Sequence, residues 1–364
     1  MSDEEDKKDS SIGSTLLSWF GAGSSADEDN AEVIPLDLAS ATAEGEETPW
    51  FAVDPEWRVV TGGWEKGKNA CSLNPEIVRS QTMGAIGRMR STVKTEGDRL
   101  FLADLYQVLG ERSLDLPDFP ETPMRLDQLL NEEEPNSQQV MRCIEADPNL
   151  VGRVWQRARS ARFPSAPPSL DMAVSRIGMD EVWRLSFQTA IDSMEVQPGL
   201  FKEMAERSRI HGALVGEVTA ALVGERRGPS FLAGILQDVG QLLILRVAST
   251  GSPELSTVNQ VIEEHRADLS LLIAEGWRLD RSIIPGIAYH FDPDAFGTGA
   301  RDLPRLLRLA DIAVYGEFDR REQKNSNFLQ ALAKTTRSRV LATRAITLAA
   351  QAIDRLEADG LTTA

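Results

Sequence analysis

Only three histidines, His211, His265 and His290, occur in the 364 residues, and that scarcity bounds the chemistry. Metal-assisted hydrolysis of a phosphoester needs imidazole and carboxylate ligands on facing helices, with one coordination position open for water. The stretch FLAGILQDVGQLLI, residues 231–244, carries the polar pair Gln237-Asp238 inside an apolar helical pattern. Asp238 is a carboxylate that could serve such a site. Gln237 offers a neutral amide, a far poorer ligand than imidazole for a transition metal. Cys71 and Cys143 lack Cys-x-x-Cys spacing and are too few for a disulfide framework. There is no Gly-x-Ser-x-Gly elbow, and TGGWEKGKN, residues 61–69, lacks P-loop spacing.

Two other groups could bind a partner. Arg153, Arg157, Arg159 and Arg162 lie on NLVGRVWQRARSARF with no acid among them. They read either as a solvated or ion-paired face, or as a dock for an acidic partner or for the chain's own acidic segment. Docking of that kind would be salt-sensitive, because exposed charges are screened over about 8–10 Å at physiological ionic strength. Leu16, Leu17, Trp19 and Phe20 form an apolar island between acidic flanks. Leu16, Leu17 and Phe20 share one helical face, which suits helix-in-groove recognition; the alternative is a stray apolar patch.

The formal charge is −17, which argues against general nucleic-acid binding, since phosphate contacts need a basic face. Residues 1–48 hold thirteen acids against two lysines, so most of that charge lies in one segment. Rich in Ser, Asp, Glu, Gly and Ala, it has too little apolar surface to offset chain entropy and is expected to be a disordered acidic tail. The opening MSDEEDKKDS lacks the pattern of a secretory signal. No uninterrupted apolar run approaches the roughly 20 residues of a bilayer span. The expectation is a cytoplasmic protein with no membrane insertion.

The rest of the chain is expected to be all-α. Residues 49–72 read as an irregular strap holding Trp50, Trp57 and Trp64. Residues 73–113 read as a helical N-terminal extension. There Ile77, Met83, Ile86 and Met89 recur at helical spacing, as do Leu100, Leu105, Tyr106 and Leu109, which are expected to be buried. Helices follow from Asn136-Ser137, from a capping Ser169 to Gly178, and from Asp180. Later ones span about 200–225, 230–249, 254–276, 280–290, 302–317 and 325–357.

Several motifs stand in an order that resembles the HDOD family, the HD-related output domain of bacterial signalling proteins. They are LPDFPETPMRLDQLL, IEADPNLVGRVWQRARSARF, SLDMAVSRIGMDEVWRLSF, HGALVGEV, FLAGILQDVGQLLI and GIAYHFDP. The resemblance implies an HD-related helical bundle over 114–320, followed by a C-terminal helical segment, 321–364. It also implies a regulatory or interaction module, usually without the metal-dependent catalysis of HD phosphohydrolases. In those enzymes a first His lies on one helix and a His-Asp pair on the next. Here His211 takes the first place and Gln237-Asp238 the pair; Arg266, adjacent to His265, and His290 fall at the later ligand positions. Guanidinium cannot deprotonate and repels a cation. The expectation is therefore a vestigial site with no catalytic residues, metal or cofactor, its polar side chains paired in a buried hydrogen-bonded cluster. The function expected is a non-catalytic bacterial signal-transduction module acting through protein–protein interaction. The alternative is a degenerate HD-type phosphohydrolase or a cyclic-dinucleotide binder. The partners expected are one or more signalling proteins.

Overall fold

The computed structural model describes residues 68–111, 121–132, 136–159, 167–224, 228–279, 281–295, 303–321, 328–336 and 338–358. Every regular element is helical, and no strand occurs among the described residues, as the periodicity predicts. The acidic segment 1–48, with Leu16, Leu17, Trp19 and Phe20, lies outside the described residues, as do Arg162 and most of the strap.

Helices α1 (Pro75–Thr92) and α2 (Glu96–Gly110) pair as a hairpin. Asn74 caps α1, its side-chain oxygen accepting the N–H groups of Glu76 and Ile77. The buried face of α1 is Val78, Thr82 and Ile86, and that of α2 is Asp98, Phe101, Leu102, Leu105 and Leu109. Ile77, Leu100 and Tyr106 instead point outward, with Leu100 55% exposed. Two polar residues displace the apolar stripe. Asp98 is buried because its carboxylate accepts the Glu254 N–H at 2.9 Å and the Thr95 hydroxyl at 2.5 Å. Thr82 is buried because its hydroxyl reaches Asp268 at 3.3 Å.

Helices α3 (Glu121–Leu130), α4 (Ser137–Glu145), α5 (Pro148–Ala158), α6 (Leu170–Ile177) and α7 (Met179–Asp192) form a second group. Asn136, Asp147 and Ser169 cap α4, α5 and α6. Gly178, at φ +84°, ends α6 and opens α7 in a conformation only glycine adopts without strain. Trp183 is fully buried, and its indole N–H donates to Asp127 at 2.8 Å, joining α7 to α3.

The long helix α8 (Leu200–Val223) is the axis of the remainder. It packs on α9 (Pro229–Leu236), α10 (Val239–Ala248), α13 (Leu303–Arg321) and α15 (Arg339–Ala358). Helix α11 (Leu255–Gly276) lies on α10, while α12 (Ile284–Tyr289) is wedged between α9, α11 and α13. A short α14 (Phe328–Thr335) packs on α13.

Three expected helices turn out differently. Residues 230–249 are two helices, broken at Gln237-Asp238. The stretch Pro229–Ala248 is apolar and long enough by composition to cross a membrane, yet it is 94% buried within this body. Residues 325–357 divide into α14 and α15, and 280–290 holds one turn of 3-10 helix, Arg281–Ile283, before α12. The C-terminal segment is part of the body. Glu317, 2% exposed, binds Arg320 at 2.6 Å and Arg321 at 2.9 Å, and Arg321 reaches Asp354 and Glu357 on α15 at 2.5 and 2.8 Å.

Candidate functional site

The break at Gln237-Asp238 is held by one hydroxyl. Ser270 on α11 donates to the Gln237 carbonyl at 2.9 Å and accepts the Gly240 N–H at 2.8 Å, so two backbone groups released by the break are satisfied. The two helices touch there through backbone. A Cβ at Gly240 would sit 2.2 Å from the Arg266 carbonyl oxygen. Only glycine permits that approach, and the approach brings Arg266 up to Asp238.

At the break six ionisable side chains meet: Asp238 in the break itself, His211 from α8, Arg266 from α11, His290 just past α12, and Arg308 and Asp311 from α13, each 6% exposed or less. His211 lies between two carboxylates, its Nδ1 3.7 Å from Asp238 Oδ2 and its Nε2 3.4 Å from Asp311 Oδ1. Arg266 Nη1 is 3.5 Å from Asp238 Oδ1. Arg308 Nη1 donates to Asp311 Oδ2 at 3.1 Å. Thus each of the four carboxylate oxygens faces a guanidinium or an imidazole. His290 donates from Nδ1 to the Ile287 carbonyl at 3.0 Å in the neutral form, which leaves its lone pair on Nε2. The Phe291 ring lies under both cations, with guanidinium carbons 4.3 Å (Arg266) and 5.6 Å (Arg308) from its centroid. Tyr315 meets the His211 ring edge-on at 4.8 Å.

The electrostatics divide the two aspartates. Burial pushes the Asp238 carboxyl up, but Arg266, with His211 and His290, outweighs it and holds the group below its ordinary value. At Asp311 burial prevails, aided by the Asp238 charge, and the carboxyl is raised despite His211 and Arg308. Burial drives His290 down to about 3, against the pull of Asp238 and with the push of Arg266 and Arg308.

These residues do not fit a divalent cation. Among the described residues no three His, Cys, Asp or Glu side chains are grouped to hold one. The physical reason is that Arg266 and Arg308 direct permanent positive charge at the oxygens a metal would need. Hydrogen bonding holds part of the cluster: Arg308 donates to Asp311 and His290 to the Ile287 carbonyl. Both ring nitrogens of His211 and the fully buried Gln237 amide lack a hydrogen-bond partner among the described residues. His211 is held instead by its ionic contacts to Asp238 and Asp311 and by the Tyr315 ring.

Of the residues singled out by sequence, His211, Asp238, Arg266 and His290 come together, with Gln237 beside them. His265 lies elsewhere on α11, its Nδ1 3.4 Å from Asp268, which also accepts the Cys71 N–H at 2.9 Å. Arg153 pairs with Asp192, and Arg157 with Glu181 at 2.8 Å, so both bind α7. Arg159 stacks over Trp155, its guanidinium carbon 5.1 Å from the ring centroid. Arg308, Asp311, Tyr315 and Phe291 were not foreseen. For the first three a signal existed: they recur at i, i+3 and i+7 within the otherwise apolar stretch 306–316 of α13, a polar stripe facing inward.

A family model for the HDOD domain matches residues 116–293. An HDOD domain protein with unknown function from Geobacter sulfurreducens is 18% identical in sequence. The match covers 68% of this chain and 91% of that one, with a TM-score of 0.50. A Marinobacter aquaeolei VT8 protein named for signal transduction is 17% identical over 80% of this chain and 66% of its own, with a TM-score of 0.50. A Shewanella amazonensis SB2B protein named as a metal-dependent phosphohydrolase is 16% identical over 70% and 99%, with a TM-score of 0.49. At such identities the likeness is one of fold. Comparison with curated proteins gives no match.

Proposed function

Because residues 116–293 are an HDOD domain, a fold related to the HD phosphohydrolases, we propose that the protein is a non-catalytic regulatory module of cytoplasmic signal transduction, working by binding partner proteins. One observation carries this reading: the guanidinium groups of Arg266 and Arg308 contact the two carboxylates, Asp238 and Asp311, around which metal chemistry would be built. Two fixed unit charges stand where a divalent cation would supply the same total. They neutralise the carboxylates but cannot polarise a phosphoryl oxygen from an open coordination position or lower the pKa of a bound water. What remains useful is the rigid helical body as a docking platform.

The second element of the proposal is the acidic segment 1–48, whose apolar residues Leu16, Leu17, Trp19 and Phe20 would seat in a partner's groove. Burying two or three of them contributes roughly 1.5–3 kcal/mol each before ordering costs, which suits weak, reversible recruitment. Deletion of residues 1–48 is expected to leave the melting temperature within about 2 °C of full length, while a pull-down loses one partner. A deleted protein that fails to fold, or that retains every partner, contradicts this part of the reading.

A further inference from the structure

A cleft of about 610 Å³ opens between α5, α7, α8 and α15. That volume is within the range of small-molecule sites, roughly 300–1,000 Å³. Its inner wall is apolar, formed by Leu185, Leu214, Ile235 and Leu242, each 8% exposed or less. Five carboxylates and four guanidiniums also line it, and every one of them has an opposite charge beside it. Asp192 holds Arg153 and, at 3.6 Å, Arg209. Glu181 holds Arg157 at 2.8 Å, and Glu217 holds Arg355 at 2.9 Å. Glu206 has Lys202 at 3.8 Å, and Asp238 has Arg266 at 3.5 Å. A charged ligand therefore finds no unmatched group. An anion meets the surplus carboxylate, and a cation must displace a guanidinium already in place. Either would give up its hydration without a counter-charge to replace it. An uncharged molecule meets neither cost.

One neutral group in the lining is unmatched. Ser208, 2% exposed, lines the cleft, and its hydroxyl has no hydrogen-bond partner among the described residues. Helical hydroxyls ordinarily bond back to a carbonyl one turn earlier, as Thr189 and Thr219 do at 2.7 Å. An acceptor entering beside Ser208 would satisfy a donor that folding leaves unmet.

We propose that this cleft binds a small uncharged molecule with an apolar body and a carbonyl group, the body lying on Leu185, Leu214, Ile235 and Leu242 and the carbonyl oxygen accepting from Ser208. Asp238 belongs both to this lining and to the paired centre, so an occupied cleft adjoins the centre. The site depends neither on whether that centre is catalytic nor on partner binding by the acidic segment.

The probe is N-phenyl-1-naphthylamine, an uncharged dye, in fluorescence titration of the full chain, where one saturable site is expected. Ala213 and Leu356 line the cleft and are half-buried. Ala213→Trp and, separately, Leu356→Trp should each weaken that site about tenfold or more, with circular dichroism melts reporting that each variant folds. Four competitors of similar size then define the ligand. Acetophenone should displace the dye about fivefold better than ethylbenzene, the worth of one neutral hydrogen bond. Benzoate and benzylammonium should compete about tenfold less well than acetophenone. Ser208→Ala should bring acetophenone down to the level of ethylbenzene and leave ethylbenzene itself unchanged. The proposal is overturned if no saturable dye site exists, or if both tryptophan variants bind the dye as wild type does. It is also overturned if either charged competitor matches acetophenone, or if acetophenone and ethylbenzene differ by less than about twofold in wild type.

Discussion

Replacing Arg266 with leucine is expected to destabilise the protein by about 3–5 kcal/mol, the usual cost of removing one partner of a buried ion pair. The loss comes less from the Coulomb energy of a 3.5 Å contact than from what is left behind. Asp238, 4% exposed, would keep an ionised carboxylate with no cation to balance it, or bind a proton at a cost. The Phe291 face would lose the nearer of its two guanidiniums. Adding Asp238→Asn removes the stranded charge, so the double variant should recover about 1–3 kcal/mol of the loss. Urea unfolding of the two single variants and the double variant closes the cycle. Strict additivity would mean that Arg266 and Asp238 do not act as a pair.

Acid should unfold the protein through His290. The imidazole is 1% exposed and is held neutral down to about pH 3, whereas in the unfolded chain it takes up a proton near 6.5. Between those values the unfolded state carries one more proton, so stability falls as pH falls, by about 1.4 kcal/mol per unit from this group alone. From pH 6.5 to 4.5 that amounts to about 2–3 kcal/mol. Asp238 acts in the same sense at lower pH: its carboxyl is depressed in the fold, so its stabilisation is lost as pH falls through that depressed value. Asp311 acts in the opposite sense. Its carboxyl is raised, so ionising it costs stability as pH rises from the unfolded value towards the folded one. His290→Gln keeps a polar side chain and removes the titration. Its unfolding free energy should be flatter than wild type by about 1.4 kcal/mol per pH unit between 6 and 4.5. Parallel slopes for the two proteins would show that His290 is not buried neutral.

The fold was legible where one property decided it. Ser169 and Gly178 mark the ends of α6 by their capping chemistry. Helical periodicity located α8 and α11 within two residues of their observed limits. It misplaced Leu100 and Tyr106 because the buried face of α2 includes Asp98, whose partner, Glu254, is 156 residues away. No local pattern records a hydrogen bond of that span. The break at Gln237-Asp238 escaped notice for the same reason, since Ser270, 33 residues on, supplies what the helix gives up. The candidate site was half legible. His211, Asp238, Arg266 and His290 are noticeable as polar residues in apolar surroundings. The meaning of Arg266 emerges only with Arg308 and Asp311, which lie on a helix read solely for its length. Arg153 and Arg157 could be seen as a basic face; that each shares its acid with another arginine is a property of packing between α5, α7 and α8.

The measurement that bears most directly on the paired centre is metal titration of wild-type protein purified without chelator, by elemental analysis and calorimetry with manganese and zinc. With guanidiniums on both carboxylates, less than about a tenth of an equivalent should be retained, and no heat of saturable binding should depend on His211. One tightly bound equivalent that disappears in His211→Ala, together with hydrolysis of a phosphodiester, would show that Arg266 and Arg308 give way to a catalytic metal.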